Sequence, residues 1–181
     1  ADMEALRGHL GLGPVVSIGT SYGGMVAMAH AARHPGAVSK LILIVTAAHN
    51  GFMSQAEAFI RNHGTPEQQR VCQRLWSGTF EMPGQMAEFY AVMGPLYSRH
   101  YDPAAAAAVR GRATYAPEPL NRAFGPGGTL RSFDLRAEVA GIQVPTLILA
   151  GRHDWICPPA FSEELHGLIP GSQLQVFEGS S

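Results

Sequence analysis

The sequence predicts an α/β protein, a doubly wound and mostly parallel sheet carrying a helical cap insertion. Short apolar runs rich in β-branched residues and leucine recur at Pro14 to Gly19 (PVVSIG), Leu41 to Val45 (LILIV) and Val144 to Ala150 (VPTLILA). They are continuous rather than alternating, as suits parallel strands buried on both faces. Helical patterns lie between them, and strand alternating with helix implies right-handed crossovers. From His49 to about Ser132 no convincing strand appears, while helix start and stop signals are dense.

Taken in order, Met3 to Leu10 reads as a helix and PVVSIG as the first strand. Gly23 to His34 is the next helix, stopping before Pro35, and LILIV the next strand. Ser54 is expected to cap a helix through Asn62, ended by Gly64. Thr65-Pro66-Glu67-Gln68 places a capping Thr, a first-turn Pro and a Gln at the third helical position, the signature of a capping box. Asp102-Pro103 opens AAAAAVR in the same way, and Gly125-Pro126-Gly127-Gly128 reads as a loop returning the chain to the sheet. Leu135 to Ala140 and Pro159 to Leu168 are helical, VPTLILA lies between them, and Gln173 to Phe177 alternates as a more exposed strand would. The expected division is therefore residues 1–48 as the first part of the core, 49–132 as a helical cap, and 133–181 as the second part of the core.

Composition narrows the function. With 181 residues, 46% hydrophobic and 15% charged, the chain is long enough for one sizeable core. A formal charge of -1, from 13 basic and 14 acidic residues, gives no field that would gather nucleic acid or an anionic membrane. No apolar stretch approaches the ~20 residues of a membrane span. Cys72 and Cys157 are far apart and form no CxxC pair, which suits a reducing, cytoplasmic compartment.

The chemistry concentrates at Gly19-Thr20-Ser21-Tyr22-Gly23, which fits G-x-S-x-G between an apolar strand and a helix. A strand that becomes a helix within one residue forces the corner side chain into φ-positive backbone, and Gly19, Gly23 and Gly24 are expected to let strand and helix pass closely. The Ser21 hydroxyl then projects into the crevice as a candidate nucleophile. The Tyr22 N–H, at the helix N-terminus, is a candidate donor to an oxyanion. A serine needs a base and an orienting acid. Of the four aspartates Asp154 is best placed, because a loop after VPTLILA delivers side chains to the crevice at the carboxyl ends of the strands. A turn or capping role is its plain structural reading. Asp2 precedes the first strand, and Asp102 and Asp134 look like helix caps.

No histidine in the chain fits as the base. His153 adjoins Asp154, and neighbouring side chains on an extended loop diverge. His166, His30, His34 and His9 fall on helices, and His63 and His100 on the surface of the insertion. His49, after LILIV, is a candidate pocket residue, with loop packing as its default role.

These residues resemble the α/β-hydrolase fold family, in its proline iminopeptidase-like branch. GTSYGG looks like the nucleophile elbow, AEVAGIQVPTLILAGRHDWICPP like the strand and loop carrying the acid, and IPGSQLQVFEGSS like the last core strand leading to the loop of the catalytic histidine. The resemblance implies a serine hydrolase working by acyl transfer with Ser21, Asp154 and the Tyr22 N–H, and no metal or organic cofactor. It also implies a histidine directly after Ser181 or within a residue or two, with early strands and a second oxyanion donor supplied elsewhere in a longer parent. The expected partners are that remainder of the hydrolase and a small-molecule or short-peptide substrate.

Substrate signals are thin. Proline iminopeptidases hold a substrate amine with acidic cap residues. Here His49 to Ser132 contains six acids (Glu57, Glu67, Glu81, Glu88, Asp102, Glu118) against eight arginines. Met82, Met86, Phe89, Tyr90, Met93 and Tyr97 form an apolar stripe. Met86, Phe89 and Tyr90 are its candidate pocket residues, with the buried face of a cap helix as the plainer reading. An esterase, thioesterase or carbon–carbon bond hydrolase, and a non-catalytic binding member of the fold, stand beside the aminopeptidase reading.

Overall fold

A computed structural model describes residues 2–181. The strands are β1 (Val15–Thr20), β2 (Val38–Ile44), β3 (Thr146–Gly151) and β4 (Gln173–Phe177). They pair in chain order and all in parallel, so every connection is a crossover. The helices are α1 (Asp2–His9), α2 (Tyr22–Arg33), α3 (Gly51–His63), α4 (Pro66–Ser77), α5 (Pro83–Tyr97), α6 (Pro103–Arg110), α7 (Pro117–Phe124), α8 (Arg136–Val139) and α9 (Pro159–Leu168). Two compact units result. One contains the residues up to Phe52 together with Asp134–Ser180, and the other is Met53–Phe133.

In the sheet unit, α2 packs on β1 and β2, α9 on β3 and β4, and α8 touches both helices. Under that layer the sheet is dry: Leu41, Leu43 and Ile148 are fully buried and Ser17, Gly19 and Ala150 nearly so. Burying a Leu or Ile side chain is worth about 1.5–3 kcal/mol relative to exposure, so this row is a main source of the unit's stability. The intervening positions are less covered. Ile42, Ile44, Leu147 and Leu149 are half-buried, and Val16 and Ile18 on the edge strand β1 are 54% and 63% exposed. PVVSIG, continuous in composition, therefore behaves as an alternating edge strand rather than one buried on both faces. The tie between α1 and α2 is polar. Glu4 of α1 lies 3.0 Å from Nε2 of the buried His30 and also takes the Arg7 guanidinium, whose hydrogen bonds hold its carboxyl down to about 2.

The helix α3 starts earlier than Ser54 suggested. α3 begins at Gly51, because the His49 ring accepts the Gly51 N–H at 3.0 Å and caps that end, leaving Ser54 within the helix. The Thr65–Gln68 capping box forms as read, and Asp102 accepts the N–H groups of Ala104 and Ala105. Met86, Phe89 and Met93 are buried, whereas Met82 and Tyr97 are exposed. Among the described residues no helix is long and apolar enough to cross a membrane.

Candidate active site

The corner after β1 is built by backbone. Ser21 sits at φ 51° and ψ -120°, outside the regions open to L-residues at low cost. Its N–H donates to the Ile44 carbonyl at 2.9 Å, and its carbonyl accepts from the Gly24 N–H at 2.9 Å and the Thr46 hydroxyl at 2.8 Å. A serine at a helix N-cap normally spends its hydroxyl on the first turn. Here it makes no such bond, and the exposed Ser21 Oγ has no partner among the described residues. The Tyr22 N–H, first of α2, likewise meets no acceptor among the described residues, so an unmade donor stands beside the free hydroxyl.

Not all three glycines are needed. A Cβ on Gly19 would lie 2.3 Å from the Gly23 carbonyl oxygen, and one on Gly24 would lie 2.7 Å from Thr46 Cβ. A Cβ on Gly23 would meet nothing within 4 Å. The close approach is therefore made by Gly19 and Gly24, and Gly23, expected to share it, contributes only backbone.

Asp154 lies three residues beyond β3. It is half-buried, and Oδ1 accepts the N–H groups of Ile156 at 2.8 Å and Cys157 at 3.0 Å. Burial pushes its carboxyl above the ordinary value, against the downward pull of those two bonds. One oxygen thus performs the turn role. The other, Oδ2, has no partner among the described residues.

The register relates the two sites. Thr20 pairs with Ile44 and Ile44 with Leu149, so these three share a row at the carboxyl end of the sheet. Ser21 follows that row on β1, and Asp154 leaves the same end of β3. Two strand spacings, about 10 Å, separate β1 from β3 there. Beside the acid loop, the His153 N–H donates to the Ser180 carbonyl at 2.9 Å, and the Arg152 N–H to Phe177 at 3.0 Å.

A sequence profile for the alpha/beta hydrolase fold matches residues 1–181. The chain belongs to the alpha/beta hydrolase family. It is 26% identical over 187 residues to a proline iminopeptidase of Levilactobacillus brevis, covering 99% of this chain and 62% of that protein. It is 32% identical to the AB hydrolase superfamily protein YisY of Bacillus subtilis, again over 99% of this chain and 63% of the other. An alpha/beta fold family hydrolase from Bacillus anthracis shares the fold at a TM-score of 0.77 and 23% identity, covering 99% of this chain and 64% of that one. The chain thus spans under two thirds of the length of these hydrolases.

Several histidines of the chain are engaged elsewhere. His49 uses both ring nitrogens, Nδ1 on the Gly51 N–H and Nε2 on Glu164 at 3.0 Å, with Phe161 beside it. His30 pairs with Glu4, and His166 meets Ser172 at 2.9 Å through Nδ1. His153 is exposed. Of the remaining candidates, Phe89 is buried edge-on against Phe80 and Tyr90, whereas Met86 and Tyr90 line a cavity within the helical unit. Among the described residues no group of three or more His, Cys, Asp or Glu could hold a metal ion. Thr46, Glu164 and the φ-positive Val45 were not visible as site residues in sequence, because their partners lie on other elements.

Proposed function

We propose that this hydrolase acts by acyl transfer with Ser21 as nucleophile, the Tyr22 N–H as one oxyanion donor and Asp154 as the acid that orients the base. The observation that carries this reading is the unspent Ser21 hydroxyl on strained backbone at the same sheet end as a carboxylate with one free oxygen. In the mechanism, Ser21 Oγ attacks a carbonyl carbon while the base takes its proton. The Tyr22 N–H receives the developing oxyanion, the leaving amine or alcohol departs with the base's proton, and water then releases the acyl group. The base is a histidine from the remaining length of the parent protein, and the 181-residue chain alone is expected to show no turnover.

Likeness to proline iminopeptidases supports release of an N-terminal residue from a peptide. The second reading, an esterase, thioesterase or carbon–carbon bond hydrolase, is favoured by eight arginines against six acids between His49 and Ser132, a balance poorly suited to an amine. Fluorophosphonate labelling of the intact parent tests the core of the proposal. An adduct on Ser21 that vanishes in Ser21→Ala is expected, and its absence would leave a binding-only protein. Comparing a prolyl anilide with a short acyl ester then decides between the two substrate classes.

A further inference from the structure

Within the helical unit a cavity of about 550 Å³ opens among α5, α6, α7 and the loop joining the last two. Its lining is mainly apolar and includes Met86, Tyr90, Val109, Tyr115 and Leu120. Two of the lining rings, Tyr90 and Tyr115, stack with centroids 5.7 Å apart and planes 21° from parallel. The single charged group in the lining is Arg110.

Arg110 differs from its peers. The other half-buried arginines each meet a glutamate: Arg7 with Glu4, Arg74 with Glu88 and Arg131 with Glu57. Arg110 has no carboxylate within ion-pair distance among the described residues, and its Nη1 donates to the Tyr101 hydroxyl at 3.3 Å. Tyr101 is itself held, since its ring lies where a Cβ on Gly94 would come within 2.6 Å. The seat of Arg110 in the last turn of α6 favours a positive charge but leaves most of its five donors unspent. A partly desolvated guanidinium facing an apolar space has its strongest partner in a planar anion.

We infer that this cavity binds a small carboxylate with a flat apolar body, its acid group on Arg110 and its body against the Tyr90–Tyr115 pair. This goes beyond the acyl-transfer reading and requires nothing of Ser21. The test uses the intact parent carrying Ser21→Ala, so that binding is read apart from any turnover. Isothermal titration compares 4-phenylbutyrate with its neutral amide. The acid is expected to bind at least tenfold more tightly than the amide. Arg110→Gln should erase that preference while leaving amide affinity unchanged, and Tyr115→Ala should weaken both probes. Arg110→Lys, a milder change, should retain part of the preference. Equal affinity for acid and amide, no binding of either at millimolar concentration, or an undiminished preference in Arg110→Gln would overturn the inference. In the active parent, competition by 4-phenylbutyrate with an ester substrate would mark the carboxylate as part of a substrate. Unchanged KM with altered kcat would mark it as a separate effector.

Discussion

The hydroxyl of Thr46 donates to the carbonyl oxygen of Ser21 at 2.8 Å, so a side chain two residues beyond β2 steadies the corner that ends β1. The same Thr46 occupies the space that a side chain on Gly24 would need. The strained Ser21 backbone is therefore held from outside its own motif, by a neighbour 25 residues away.

The three elbow glycines should separate in stability. Gly24→Ala drives a methyl into Thr46 and is expected to cost about 1–3 kcal/mol, and Gly19→Ala, aimed at backbone, more than that. Gly23→Ala meets open space and gains up to about 1 kcal/mol of helix propensity. Urea midpoints followed by circular dichroism check the order. A Gly23→Ala loss equal to that of Gly24→Ala would contradict the geometry.

Thr46→Val keeps the shape and removes the bond to Ser21. The Ser21 carbonyl still accepts from Gly24, so the stability loss should be near 1 kcal/mol. If the bond steadies the proposed nucleophile, the fluorophosphonate labelling rate of the parent should fall severalfold. An unchanged rate would reduce Thr46 to packing.

Asp154→Asn should stabilise the fold while removing activity. A carboxyl whose folded pKa stands above its ordinary 3.8 binds its proton more tightly folded than unfolded. Its ionisation therefore costs stability, a cost that grows as pH rises from 3.8 through the raised value and stays constant at neutral pH. Asn keeps an acceptor for the Ile156 and Cys157 N–H groups and abolishes that cost. The gain is expected in full at pH 7 and vanishes near pH 3. A variant less stable than the parent chain at pH 7 would refute this account.

Much of the fold was legible because its signals are local. The β4 run Gln173–Phe177 and the α9 run Pro159–Leu168 are bounded by their own turn and proline signals, and Thr65–Gln68 closes a capping box within four residues. The positions of Ser21 and Asp154 in the fold were legible for the same reason, each lying just past an apolar strand. What stayed hidden depends on neighbours distant in sequence. Nothing near Ser54 announces that His49 caps α3 from upstream, and nothing in the GTSYGG run tells Gly23 from Gly24 until Thr46 arrives beside one of them. PVVSIG looked two-sided because a run of apolar letters cannot say which neighbours are present.

Both cysteines should be silent to alkylation in the native state. Burial pushes the Cys72 thiol up to about 12, with its sulfur 3.6 Å from that of Met93. Cys157 is raised further by burial and by the Asp154 carboxylate. The thiolate is the reactive form, so iodoacetamide at pH 8 should modify neither residue until the protein is unfolded. Mass spectrometry of native and urea-treated samples checks this, and rapid native labelling at Cys157 would contradict the burial of the acid loop.

The edge strand β1 carries the last prediction. Val16 and Ile18 are 54% and 63% exposed, and Ile42, beside Ile18 in register, is only half-buried. An unpaired ladder next to exposed β-branched side chains is a template for strand addition. The 181-residue chain by itself should therefore bind an apolar dye and self-associate at micromolar concentration. Val16→Lys with Ile18→Lys adds charge at the edge without touching the buried Ser17 and Gly19, and should restore a monomer in sedimentation. If the double variant associates as strongly as the unaltered chain, association arises elsewhere, for instance from the exposed Leu6 and Leu10 around α1.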